Sequence, residues 1–164
     1  MRLSVEQYRN WSHKSVTLVG MSGVGKTHLS SLLRQNNWFH YSGDYRIGAR
    51  YLDEAILDMI KEQAMQVPFL RELLRKDWIY IRNNITVDDL GPVLAFVGKL
   101  GNPSLGGVPL HDFVRRQAQY RDAEIAAMLD VPEFIRKAQA VYGYSHFVND
   151  VGGNMAAAMQ RGHE

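Results

Sequence analysis

Ser15-Val16-Thr17-Leu18-Val19-Gly20-Met21-Ser22-Gly23-Val24-Gly25-Lys26-Thr27-His28-Leu29-Ser30-Ser31-Leu32-Leu33 is the stretch whose reading decides the fold. A short β-branched run leads into a glycine-rich turn, and apolar residues at helical spacing follow. The turn, Gly20 to Thr27, fits G-x-x-x-x-G-K-S/T without a mismatch. Each fixed position has a physical reason. Gly20, Gly23 and Gly25 admit backbone conformations that a Cβ would forbid. Successive N–H groups can then turn inward and cradle a phosphate. Lys26 reaches the outer phosphates, the Thr27 hydroxyl is placed to ligate Mg²⁺, and the following helix points its positive end at the same anion. At average residue usage such a match arises by chance in roughly one chain of this length in a hundred, or fewer. The order strand, glycine loop, helix sharpens it further, and a turn that binds nothing gives Lys26 no reason to follow Gly25.

Outward from this stretch, the 164 residues set a prior of one domain with a core large enough to need no staples. A hydrophobic fraction of 46% and a charged fraction of 22% are those of ordinary globular chains. With 19 basic and 17 acidic residues the net charge is only +2, so composition points to no nucleic-acid and no membrane partner. The chain has no cysteine, which removes disulfides and thiolate metal sites and fits a reducing compartment. The N-terminus lacks the apolar core of a signal peptide, and no apolar run reaches membrane-spanning length. The cytoplasm is the expected location.

The elements follow in order. Ser4-Val5-Glu6-Gln7 reads as a capping box opening a short helix to about Trp11. Strand 1 covers about Val16–Val19, a helix runs from Lys26 to about Gln35, and Trp38–Ser42 is strand 2. Gly43–Gly48 is expected to be a loop. Helices are expected around Tyr51–Ile60, over Phe69–Lys76 behind Pro68, from Thr86 to about Leu100, over Pro109–Leu129, and from Asp130 to Gly143. Ile79-Tyr80-Ile81-Arg82 suits helix or strand equally. Tyr144–Asn149 reads as strand 3, with Asp150-Val151-Gly152-Gly153 just past its end.

Open α/β sheets bind ligands beyond the carboxyl ends of their strands. Three such ends carry chemistry here: Gly20–Thr27, Gly43-Asp44 and Asn149-Asp150. If the strands are parallel, the three meet at one edge. Asp150 after an apolar strand is the second acid that a phosphate-bound Mg²⁺ needs; the alternative is a turn aspartate beside glycines. Asn149 is a weaker candidate at the same edge. Asp44 is placed to orient an acceptor hydroxyl, and Arg46 or Arg50 to hold a second anion, against an alternative of turn and surface roles. The glycine-rich Gly101–Pro109 has the make-up of a lid or binding loop. Arg115, Arg116 and Arg121 beyond it read more readily as a solvated helix face than as phosphate ligands. The six histidines show no metal-ligand spacing.

With these residues in view, the chain resembles P-loop kinases of the nucleoside-monophosphate and shikimate type. Gly20–Thr27 looks like their ATP loop, Tyr41-Ser42-Gly43-Asp44 like their acceptor-site turn, and Phe147-Val148-Asn149-Asp150-Val151-Gly152 like their strand-Asp-x-Gly segment. Tyr41–Tyr51, Ile79–Val87 and Tyr144–Gly153 are similar to an uncharacterised family of bacterial P-loop ATPases. The resemblance implies a three-layer α/β fold with a short parallel sheet in the order 2-3-1 and a helical insertion over residues 50–143. It implies ATP with Mg²⁺ as cofactors, and phosphoryl transfer to a small molecule or ATP hydrolysis as the activity. Gly20, Ser22, Gly23, Val24, Gly25, Lys26, Thr27 and His28 would bind the nucleotide. Thr27 and Asp150 would hold the metal, and Lys26, Asp44 and Asp150 would be catalytic. ATP over GTP rests on this likeness, since no guanine-reading Asn-Lys-x-Asp is present.

The chain also departs from the pattern. The arginine after Gly43-Asp44 comes one position early, and His28 stands where many such kinases carry a second hydroxyl. Those kinases continue past strand 3 with more strands and an arginine-bearing lid, whereas here a tail over residues 154–164 follows. The likeness therefore implies the N-terminal part of a longer protein. It leaves a competing expectation, a non-catalytic nucleotide-binding module whose exposed sheet edge pairs with a partner chain.

Overall fold

The computed structural model describes residues 3–20 and 24–152; the expected tail 154–164 lies outside them. In chain order the elements are α1 (Val5–Asn10), β1 (Ser15–Leu18), α2 (Lys26–Gln35), β2 (Trp38–Ser42) and α3 (Gly43–Arg46). A π-helical turn (Ile47–Tyr51) leads to α4 (Asp53–Ala64), α5 (Pro68–Arg75) and α6 (Gly91–Val97). A 3₁₀ turn (Pro103–Leu105) precedes α7 (Leu110–Leu129), α8 (Val131–Ala140) and β3 (His146–Asp150). The chain is α/β, with an open sheet of three parallel strands in the order β1-β3-β2. That is the order the resemblance implies. Among the described residues no helix is long and apolar enough to cross a membrane.

Two compact units make up the chain. The first joins Met1–Gly43 to Met128–Glu164 and contains the sheet. Parallel strands need crossovers, and a strand's side chains alternate between faces. Phe39, Tyr41 and Phe147 therefore share one face, where α8 seals them with Phe134 and Ala138. Phe39 and Phe147 lie nearly parallel, their ring centres 5.7 Å apart. The opposite face, carrying His40, Val148 and Asp150, is left to α2, which packs on β2 and β3 and buries Ser30 completely. The second unit, Asp44–Ala127, is helical and built on its own core of Ile47, Leu52, Ile56, Val93, Phe96 and Ala123.

The capping box forms as expected: Gln7 N–H donates to Ser4 Oγ at 3.1 Å, and Ser4 N–H to Gln7 Oε1 at 2.9 Å. Four expectations change. Gly43–Gly48 is helical rather than a loop, because burying Ile47 carries the chain straight from β2 into α3 and the π turn. The helix expected from Thr86 begins at Gly91 and stops at Gly98, whose φ of 64° ends it before Leu100. Thr86 and Asp89 instead close a turn on each other, and Asp89 Oδ1 accepts from Gly91 N–H at 2.9 Å. Ile79–Arg82 takes neither helix nor strand. Strand 3 starts at His146, since Tyr144 N–H is tied to Ala138 O at 2.8 Å, and it ends on Asp150 itself.

Candidate functional site

Register, not sequence distance, assembles the site in the first unit. Leu18 pairs with Asp150 across β1 and β3, and Ser42 pairs with Asp150 across β2 and β3. The carboxyl ends of all three strands therefore stand level. Val151 N–H donates to Leu18 O at 3.3 Å and extends the pairing one step beyond β3. Two residues past Leu18 comes Gly20, so Asp150 sits on the strand beside the one that feeds the loop.

Of the loop residues, Ser22 and Gly23 lie outside the described residues, as does Met21. Gly25 caps α2 with φ 89° and ψ 12°, the left-handed region where a side chain is strained. Among the described residues no side chain caps the helix, and no acidic residue stands in its first turn. Its leading N–H groups, those of Lys26, Thr27 and His28, precede the first intrahelical bond, Leu29 N–H to Gly25 O at 3.0 Å. An anion is the complement such an end lacks. Lys26 is half-buried, and its Nζ folds back to donate to Gly20 O at 2.7 Å, across the turn it is expected to serve. A Cβ on Gly20 would stand 3.2 Å from Val24 Cγ2, so Gly20 and Val24 approach closely. Thr27 and His28 are exposed, as is Val24.

Asp150 is 8% exposed. Its Oδ2 lies 3.9 Å from Nε2 of His40, beyond hydrogen-bonding distance. That His40 nitrogen is buried, and among the described residues it has no hydrogen-bond partner. Gly43 makes the approach of β2's end to β3 possible, because a Cβ there would stand 3.3 Å from the Asp150 carbonyl oxygen. Asn149 alternates to the other face, where its Nδ2 donates to Met128 Sδ at 3.8 Å. It does not share Asp150's face.

Asp44 opens the second unit, half-buried in α3. Its charge acts on two groups of α7. Burial, reinforced by Asp44, raises the Glu124 carboxyl to about 7. Burial, then Asp44 and Glu124, pushes the Tyr120 phenol well above its ordinary value. Three negative or potentially negative groups thus crowd one place, and the proton stays on Glu124 and Tyr120. Arg46 lies over the Tyr51 ring at 5.6 Å, while Arg50 is exposed. Arg116 donates to Phe96 O at 3.1 Å, and Arg115 pairs with Asp112 at 3.1 Å. Arg121 is 3.7 Å from Asp122.

Sequence reasoning missed His40 and Glu124. Alternation along β2 offered a signal for His40, which shares a face with Ser42 and so with Asp150 once the register is known. Glu124 had none, since it sits in a helix whose sequence reads as polar. No protein-family model matches the chain, and no curated protein and no solved structure matches it.

Proposed function

We propose that the chain is a P-loop nucleotide-binding protein that takes ATP with Mg²⁺ in the first unit and transfers or hydrolyses the terminal phosphoryl group. One observation carries the reading. The G-K-T of the loop forms the uncapped start of α2 at the end of a parallel strand, with Asp150 in register on the strand beside it. Lys26 Nζ would exchange the Gly20 carbonyl for phosphate oxygens, and the leading amides of α2 would take the remaining charge. Among the described residues no three histidine or acidic side chains gather to form a protein-only metal cage. The donors present, a hydroxyl and one carboxylate, suit Mg²⁺, which keeps waters and relies on substrate phosphates. Thr27 and Asp150 would hold it there, Asp150 directly or through water. Bound Mg²⁺ would neutralise charge developing on the phosphoryl oxygens. The acceptor would be a small-molecule hydroxyl or water. The absence of cysteine fits a cytoplasmic protein.

The test is phosphate release from Mg·ATP by native protein and by Lys26→Ala. Native turnover that falls at least about a hundredfold in the variant supports catalysis, since Lys26 is asked to stabilise the transferring group. Equal release from both defeats it.

A second reading, a non-catalytic nucleotide-binding module, is favoured by the sheet edge. Among the described residues β1 has a single neighbour, β3, and Ser15 and Thr17 are exposed. A partner strand at that edge would complete the sheet. Under this reading Mg·ATP binds with no phosphate release.

A further inference from the structure

We infer that His40 is a positioning residue for Asp150, donating a hydrogen bond from Nε2 to Asp150 Oδ2 when the site takes up Mg·ATP. The inference rests on the reading of Asp150 as a metal-holding acid. Its geometry is independent of that reading. His40 pairs with Val148 and Ser42 with Asp150, so His40 and Asp150 are diagonal neighbours on one face of the sheet. The His40 side chain is 3% exposed, and among the described residues its Nε2 has no hydrogen-bond partner. A buried strand position ordinarily takes a β-branched or aromatic apolar residue, and a buried ring nitrogen left unpaired is unfavourable. Asp150 Oδ2 lies 3.9 Å from it.

Closing that gap by about 1 Å makes an ordinary N–H···O bond, a displacement within reach of a small turn of the carboxyl group. The bond would use one carboxylate oxygen and leave the other for the metal or its water. It would also hold the group's orientation, the role that outer partners of metal-ligating carboxylates perform. Ser30 Oγ on α2, the helix that packs on β2 and β3, is likewise buried and has no hydrogen-bond partner among the described residues.

The experiment compares His40→Gln with His40→Met, side chains of nearly equal shape that differ in having a donor. Equilibrium binding of ATP is titrated with Mg²⁺, and ATP alone is titrated separately. His40→Met should raise the Mg²⁺ concentration for half-saturation about tenfold or more, with ATP binding in the absence of Mg²⁺ unchanged. His40→Gln should stay within about threefold of native protein. Equal loss in both variants means His40 only packs, and no loss in either means it does not touch Asp150; each result overturns the inference. If the variants do not fold, native protein labelled at histidine nitrogen decides. The His40 Nε2–H resonance should move downfield on adding Mg·ATP, and an unmoved resonance at saturation overturns the inference. Native protein that binds no Mg·ATP removes the functional reading and this inference with it, whereas native binding with an unaffected His40→Met removes the inference alone.

Discussion

Glu124 keeps its proton in the folded chain at pH values where the unfolded chain has lost it. Its carboxyl is raised from an ordinary 4.5 to about 7, first by burial and then by Asp44. Between those values the native state binds more protons than the unfolded state, so stability falls as pH rises through the window and levels off above it. Glu124→Gln removes the slope. Urea denaturation at pH 4 and pH 8 should show native protein losing about 3 kcal/mol more than the variant between the two. His146 works in the opposite direction. Burial and then the Lys14 charge lower its pKa from 6.5, and its Nδ1 accepts from Lys14 N–H at 3.2 Å, which a protonated ring cannot do. The unfolded chain therefore takes up the proton first, and stability falls as pH drops below the ordinary histidine value. His146→Asn should flatten that loss in the same denaturation series, and an unchanged slope contradicts the assignment. At this scale Lys26 and Thr27 were legible because the motif is local. His40 and Glu124 were not, because each is defined by residues far away in the chain.

Helix α2 begins where its sequence says it should, and Gly25 is the reason. A left-handed residue there ends the turn and releases the first amides forward. Gly25→Ala should lower unfolding stability by about 1 kcal/mol and weaken Mg·ATP binding in the same protein. A variant as stable and as tight as native protein argues against this role of the cap. β2 and the helices over Pro68–Arg75 and Leu110–Leu129 were legible from period and punctuation alone. The misread segments failed for stated physical causes. Thr86-Val87-Asp88-Asp89 has the pattern of a helix start, but Asp89 spends its carboxylate on Gly91 N–H, and Pro92 suits the first turn of a later helix. Gly43–Gly48 has the residues of a loop, but Ile47 within it is needed by the helical core.

Across the molecule, the chain separates into a sheet unit that bears the loop, Thr27 and Asp150, and a helical unit that bears Asp44, Tyr120 and Glu124. The parallel sheet of three strands and its order were implied by the likeness to the kinases, and the strands themselves by their residues. That Leu18, Ser42 and Asp150 end level was not, because register is settled by packing on both faces. Binding energy should appear as stability of the folded chain. At a free Mg·ATP concentration a hundred times its dissociation constant, stabilisation should reach about 2.7 kcal/mol and fall to about 1.4 kcal/mol or less in Lys26→Ala at the same concentration. The central claim concerns the loop, and calorimetric titration of Mg·ATP into native protein and into Lys26→Ala tests it most directly. The account predicts saturable binding at one site per chain in native protein and at least about a tenfold weaker affinity in the variant, the loss of one charge-assisted phosphate contact. Equal affinity in the two proteins, or no binding to native protein, would contradict it.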